Sequence, residues 1–336
     1  MRYAIWNNKG GVGKTFLSFI LSTEYANKNP NKKIIVVDMC PQANLSEIIL
    51  GGNGKGSSNI DKLISQGSDR LTIGGYFDKR ISSPHKITGD ETSFIQHIKK
   101  HNDQLPDNLY LICGDPSLEI QAQVINQIST QTLPADAWKN VHQWLSDLIA
   151  ACVSKLGDCT VFIDCNPSFS AYTELAMAAA DRVIVPCTSD GSSARAIDNV
   201  AALLYGIGSE VQHKDATYSA KAEKFNIPLP LLHSVILNRS TQYNNRTSKA
   251  FSAMFDKIKE RVQFFKKDAP KIFISAPEIF QDMPDSHSVA IVCSHLGTPL
   301  YSVTPGQYQV HDTDPRVNPE PLNRYKEAVE KLLSIL

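Results

Sequence analysis

Seven residues near the start of the chain, Lys9-Gly10-Gly11-Val12-Gly13-Lys14-Thr15, combine the groups that hold a triphosphate. Glycine backbones approach an anion closely, and the unpaired N–H groups of a following helix point at it. In such a loop Lys14 meets the β- and γ-phosphates, and the Thr15 hydroxyl ligates Mg²⁺. With glycine at about 7% of residues, these positions coincide by chance in a chain this long with probability on the order of 10⁻⁴. The strict form of the loop has glycine where this chain has Asn8, so the fit is to a variant.

Such a loop works only where a strand hands over to a helix. Residues 3–6 are short, apolar and β-prone, a helix is expected over about 14–27, and 33–38 is a continuous apolar run ending in Asp38. That is a βαβ unit. Similar runs at 109–113, 160–164, 182–186, 234–238 and 271–275 read as buried strands, with helical patterns at about 137–155, 171–180, 192–206 and 247–266. The predicted fold class is α/β, a mainly parallel twisted sheet covered by helices on both faces. We read 1–336 as one domain. The stretch 51–106 departs from the rhythm and is expected to be a surface excursion, with a helix at 92–101. Loops are expected at 207–229 and 304–320.

Composition removes several classes. The 336 residues carry 34 Lys+Arg against 34 Asp+Glu and are 42% hydrophobic, which excludes a disordered, fibrous or broadly polycationic chain. The cysteines, at 40, 113, 152, 159, 165, 187 and 293, form no C-x-x-C pair and no zinc-spaced cluster with histidine. Reduced thiols and a cytoplasmic location are expected, because Met1-Arg2 runs straight into a strand and no apolar run approaches the roughly 18 residues of a membrane span. His97 and His101 stand four apart on the expected helix, but Lys99 and Lys100 between them point to a solvated face. Ser168 and Ser170 lack the Gly-x-Ser-x-Gly elbow of a serine hydrolase.

Charge is uneven. Arg239, Arg246, Lys249, Lys257, Lys259, Arg261, Lys266, Lys267 and Lys271 face only Asp256, Glu260 and Asp268 over the same stretch. Such a surplus can track DNA phosphates without reading bases, with affinity of roughly 10⁻⁴–10⁻⁶ M. A solvated helix face is the alternative.

The run Lys9-Gly10-Gly11-x-Gly13-Lys14-Thr15 resembles the signature of the ParA/MinD group of deviant Walker A ATPases, and the likeness continues along most of the chain. Asp38-Met39-Cys40-Pro41-Gln42-Ala43-Asn44 sits where the ParA branch has its Asp-x-Asp-Pro-Gln-x-Asn switch. Residues 160–168 resemble the Walker B strand and second switch, 183–186 with Asp190 the next strand and loop, and 297–300 with a closing helix at 321–335 the family's tail. The resemblance implies that Lys9, Gly10, Gly11, Val12, Gly13, Lys14, Thr15 and Phe16 bind ATP, with Asn238 on the adenine. It assigns Mg²⁺ to Thr15, Asp38 and Asp164, the last through water, and the reaction to Lys9, Lys14, Asp38 and Cys40. Lys9 then crosses to a partner's phosphates, making ATP the glue of a sandwich homodimer. Relatives bind DNA nonspecifically through basic C-terminal surfaces, here Arg246, Lys249, Lys257, Lys259, Arg261, Lys266 and Lys267. Their ATPase is stimulated by a cargo- or centromere-binding partner, and they associate with the nucleoid.

One departure bears on turnover. The family's water-polarising aspartate falls at Cys40, whose neutral thiol accepts hydrogen bonds poorly; losing such a group typically costs roughly 10²–10⁴ in rate. Asp38 is two residues away and is more naturally aimed at the metal. A redox role for Cys40 lacks a basic neighbour in sequence. Slow hydrolysis is therefore expected, the alternative being a nucleotide-gated scaffold that leaves ATP essentially uncleaved. MinD-like membrane binding is disfavoured because the helix 321–335 has Glu327 and Glu330 against Arg324, Lys326 and Lys331. Cys113 and Cys152 lack the glycine-flanked contexts of the family's iron–sulfur branch.

Overall fold

The apolar runs become strands because each sends alternate side chains to opposite faces of one sheet, and both faces are covered. A computed structural model describes residues 1–65, 70–188, 193–208, 214–240, 242–243, 246–247, 249–275, 278–286 and 288–336. The chain opens with β1 (Arg2–Ile5), α1 (Lys14–Lys28), β2 (Lys33–Met39), α2 (Asn44–Ile49), α3 (Lys55–Ser65), α4 (Ile73–Ser82) and β3 (Ile95–His97). Next come β4 (Leu109–Ile112), α5 (Leu118–Ser129), α6 (Ala137–His142), α7 (Trp144–Leu156), β5 (Cys159–Cys165), α8 (Ala171–Ala179), β6 (Arg182–Cys187), α9 (Ser193–Tyr205) and α10 (Tyr218–Lys224). The last part holds β7 (Leu231–Ser240), β8 (Gln242–Tyr243), β9 (Arg246–Thr247), α11 (Lys249–Asp268), β10 (Phe280–Pro284), α12 (Ser288–Leu296), β11 (Gly306–Gln307), β12 (Arg316–Val317) and α13 (Pro319–Leu333).

Eight strands form one sheet in the order β10-β7-β6-β1-β5-β2-β4-β3, parallel throughout except for β3. In β2, Ile35 and Val37 enter one hydrophobic layer while Ile34 and Val36 enter the other. The register sets Ile5 and Asp38 on either side of Asp164, so β1, β5 and β2 end at one level. That edge is where ligands bind in open α/β sheets.

Three expected elements are corrected, the first being the loop at 207–229, which carries α10, its N-terminus capped by the Thr217 hydroxyl. Residues 271–275 do not form a sheet strand: Pro270 starts a single helical turn, Pro270–Ile272, and among the described residues Phe273 makes only an isolated bridge to Leu232. The edge of the sheet is β10 instead. Residues 92–101 are not a helix either, because Ile95–His97 pairs antiparallel with β4. His97 stacks on Tyr110, and its Nε2 lies 2.7 Å from the Asp107 carbonyl oxygen.

The stretch 51–106 supplies α3, α4 and this edge strand, and buries Ile60, Leu63, Ile73, Tyr76, Phe77, Phe94, Ile98 and Leu105 in the two layers. Arg80 is only 3% exposed, and its Nη1 donates to Asp147 of α7 at 2.8 Å and to the Tyr76 hydroxyl at 2.9 Å. Buried polar contacts of this kind carry no hydrophobic periodicity.

The closing helix packs inward: Leu322, Tyr325, Val329, Leu332 and Leu333 are buried. No helix among the described residues is long and apolar enough to cross a membrane. Beside it, buried Glu24 of α1 accepts the Tyr301 N–H at 3.0 Å. Burial pushes its carboxyl up from 4.5 to about 7, against the pull of that N–H and of Lys326. Between these values the folded state binds more protons than the unfolded one, so this group's contribution to stability falls as pH rises. Glu24→Gln keeps the acceptor and removes the titration. Urea unfolding should find it more stable than wild type at pH 8, by on the order of 2 kcal/mol, with the gap closing by pH 4. A gap independent of pH would contradict this.

Candidate functional site

The phosphate loop leaves β1 at Trp6 and returns as α1. Gly11 and Gly13 have φ of 75° and 82°, a left-handed conformation that glycine adopts without strain. Asn7 braces the loop from below, donating to the Pro186 carbonyl at 2.8 Å and accepting the Lys9 N–H at 3.0 Å. Asn238 braces it from β7, its Nδ2 donating to the Val12 carbonyl at 2.8 Å. Lys14 folds into the loop and donates to the carbonyls of Asn7 (3.1 Å) and Lys9 (2.8 Å). Burial lowers its pKa, with Asp164 acting in the opposite sense.

Two carboxylates face each other at the ends of adjacent strands. Asp164 accepts from the Thr15 hydroxyl on Oδ2 (2.9 Å) and from the Ser18 hydroxyl on Oδ1 (2.8 Å). Burial, then the nearby charge of Asp38, pushes its carboxyl up to about 7. Asp38 is fully buried: Oδ2 accepts the backbone N–H (2.9 Å) and hydroxyl (2.8 Å) of Ser46, and Oδ1 accepts the Cys40 N–H (3.1 Å). Burial raises this carboxyl too.

The Thr15 hydroxyl on the first turn of α1, in contact with a carboxylate oxygen of Asp164 at the end of β5, suits a hard cation such as Mg²⁺. Burial raises both carboxyls, with the charge of Asp38 adding to it at Asp164, and a divalent ion beside them would favour their ionised forms. Among the described residues no group of three or more His, Cys, Asp or Glu could hold a metal.

Cys40 lies half-buried beyond Asp38. Burial, reinforced by the charge of Asp38, pushes its thiol up to about 12. It is therefore a neutral thiol at neutral pH, and thiolate redox chemistry is disfavoured. Lys9 Nζ donates to the Thr188 hydroxyl at 3.0 Å, beyond the end of β6. Asp190 lies outside the described residues. Phe16 stacks against Tyr325 of α13, with ring centroids 6.3 Å apart.

A family model described as AAA domain (AAA_31) matches residues 2–217, well over half the chain. The chain belongs to this AAA domain family. Together with the fold, this match bears out the ParA/MinD resemblance. A search of curated proteins finds no match. The fold is similar to that of an ATP complex of a McdA variant from Cyanothece, with a TM-score of 0.62 at 15% identity over 98% of this chain and 95% of that one. It is also similar to a plasmid partition protein from Borrelia burgdorferi (TM-score 0.52, 18% identity, 100% of this chain and 99% of that one). A cobyrinic acid a,c-diamide synthase from Mycobacterium smegmatis, bound to an ATP analogue and magnesium, has a TM-score of 0.51 at 17% identity over 88% and 92% of the two chains. These likenesses show a shared fold.

Several contributors to the AAA domain site carry no motif signal. Ser18 and Ser46 pin the two carboxylates, and Gly114 packs so tightly that an added Cβ would lie 2.9 Å from the Asp38 carboxyl. Ser46 Oγ also accepts the Gly114 N–H at 2.8 Å. Next to it, buried Asp115 takes Arg70 Nε at 3.1 Å and the Thr72 hydroxyl, tying the stretch 51–106 to the loop after β4.

Away from the loop, the basic candidates on α11 separate. Lys257, Lys266 and Lys267 are exposed. Lys259 lies over the Phe255 ring at 4.6 Å, and Arg261 pairs with Asp198 of α9. The side chains of Arg246 and Lys249 lie outside what is described.

Proposed function

We propose that this AAA domain is a ParA-like positioning ATPase: Mg·ATP closes a sandwich homodimer, the dimer binds DNA nonspecifically, and a cargo-bound partner triggers slow hydrolysis and release. The chain is read as one domain, acting in the cytoplasm on the nucleoid. In this reading Lys14, Thr15, Asp164 and Asp38 serve the chain's own nucleotide and Mg²⁺, Phe16 and Asn238 border it, and Lys9 serves the partner's. The observation that supports it most is the divergence of the two loop lysines. Lys14 turns into its own loop, whereas the Lys9 amino group is held outside it at Thr188. The similar folds of a McdA–ATP complex and a plasmid partition protein support the same class. Mg²⁺, when bound, would screen the triphosphate charge, while Thr15 and the carboxylates orient its shell.

Sedimentation with Mg·ATP, Mg·ADP or no nucleotide tests the first step. A dimer is expected with ATP alone, and both Lys9→Ala and Lys14→Ala should remain monomeric. A monomer under all conditions would sink the reading. DNA binding by the ATP form should weaken on all sequences when Lys257, Lys259 and Lys266 are reversed to Glu; unaltered binding would remove α11 as the contact surface.

A second reading is favoured by one observation. Cys40 puts a neutral thiol at the switch position, and among the described residues the carboxylates beside the loop, Asp38 and Asp164, are each already hydrogen-bonded, as a static nucleotide-gated scaffold would have. Single-turnover hydrolysis with and without DNA separates the two.

A further inference from the structure

The Asp164 carboxylate is pinned to α1 at two points, and only one belongs to the phosphate-loop motif. Thr15 donates to Oδ2 at 2.9 Å, and Ser18, one turn further along α1, reaches Oδ1 at 2.8 Å. Ser18 is fully buried, and its hydroxyl also lies 3.0 Å from the Lys14 carbonyl. A serine inside a helix often satisfies itself on the carbonyl four residues back, so the second contact alone would be unremarkable. But the hydroxyl has one proton. The carboxylate is the closer acceptor, and a hydrogen bond to a charged acceptor is the stronger one.

We propose that Ser18 is a positioning residue for the cation: by holding Oδ1 it stops the carboxylate from rotating and keeps Oδ2 in line with the Thr15 hydroxyl. Thr15 gives its proton to Oδ2, so the lone pairs of its oxygen stay available to a metal. Without Ser18 the carboxylate can turn about its terminal torsion, which is broad and soft. Thr15 then loses the acceptor that orients it. Partners that orient metal ligands typically contribute about 10–100-fold to metal affinity. Asp38 is held in the same manner by Ser46, from a different helix, so each carboxylate has its own serine.

The inference rests on the Mg·nucleotide reading above, and one titration distinguishes the failure of either. A fluorescent ATP analogue is bound to the full chain while Mg²⁺ is raised from an EDTA-buffered zero, with no hydrolysis measured. Ser18→Ala should move the Mg²⁺ midpoint up by about 10–100-fold and leave nucleotide affinity in EDTA unchanged. Ser22→Ala is the control: Ser22 is equally buried on the same helix, and its hydroxyl bonds the Phe19 carbonyl. It should leave both values alone. Ser18→Cys, of similar volume and with a poor donor, should reproduce the shift if the alanine variant folds badly. An unmoved midpoint, or an equal loss in EDTA, would overturn the role of Ser18. Absence of any Mg²⁺ effect in wild type would instead overturn the metal reading on which it stands.

Discussion

Cys40→Asp should raise single-turnover hydrolysis of Mg·ATP by about 10²-fold or more, the usual worth of a positioned general base or water-polarising group. The wild-type thiol, pushed up to about 12, is neutral at pH 7 and a poor acceptor for the attacking water. Asp38 is fully buried and held in place by Ser46 on Oδ2 and the Cys40 N–H on Oδ1, as suits a fixed group of the metal shell rather than a base for water. A new carboxylate at position 40 joins Asp38 and Asp164 in a crowded negative site. The gain therefore requires Mg²⁺, and the nucleotide-free variant should be less stable than wild type. Cys40→Ser, a neutral hydroxyl of similar size, should stay within a few-fold of the wild-type rate. If the aspartate variant is no faster, the missing carboxylate does not limit turnover.

Arg80→Ala should lose about 3 kcal/mol of unfolding free energy, the low end for breaking a buried ion pair because Asp147 is 30% exposed. The guanidinium stacks 5.4 Å from the Trp144 ring and bonds both Asp147 and the Tyr76 hydroxyl, so its removal leaves a cavity, strips Asp147 of its partner and leaves the Tyr76 hydroxyl only its bond to the Trp144 carbonyl. Arg80→Met, which refills the space beside Trp144, should recover part of the loss. The urea midpoint should fall with an unchanged slope. Hydrogen exchange should show α4 and β3 opening before β1, β2 and β5. A loss under 1 kcal/mol would show that Arg80 is not among the ties that hold the stretch 51–106.

The phosphate loop was legible because its chemistry needs glycines and a lysine at fixed spacing within one segment. The strands of the sheet's centre were legible for a related reason. Burial on both faces leaves a continuous apolar run that nothing on the surface imitates. Residues 271–275 are such a run and still misled, because pairing is decided by which segment reaches the open edge of β7. Pro270 turns the first one away, and Phe280–Pro284 takes the place. Residues 92–101 misled for the opposite reason: a three-residue edge strand is too short for its alternation to stand out.

What the residues determined by themselves is a glycine-rich loop with two lysines, Lys9 to Thr15, between a strand and a helix, and the α/β class; the carboxylate expected at position 40 came from the family resemblance. Tertiary structure decided which oxygens are free. It set Asp38 and Asp164 side by side on adjacent strands, gave each a serine from a different helix, and buried Arg80 and Asp115 as ties to the stretch 51–106. Those contacts join residues up to 146 positions apart. Hydroxyls and single charges have no local periodicity to announce them, so only the folded register could bring them into view.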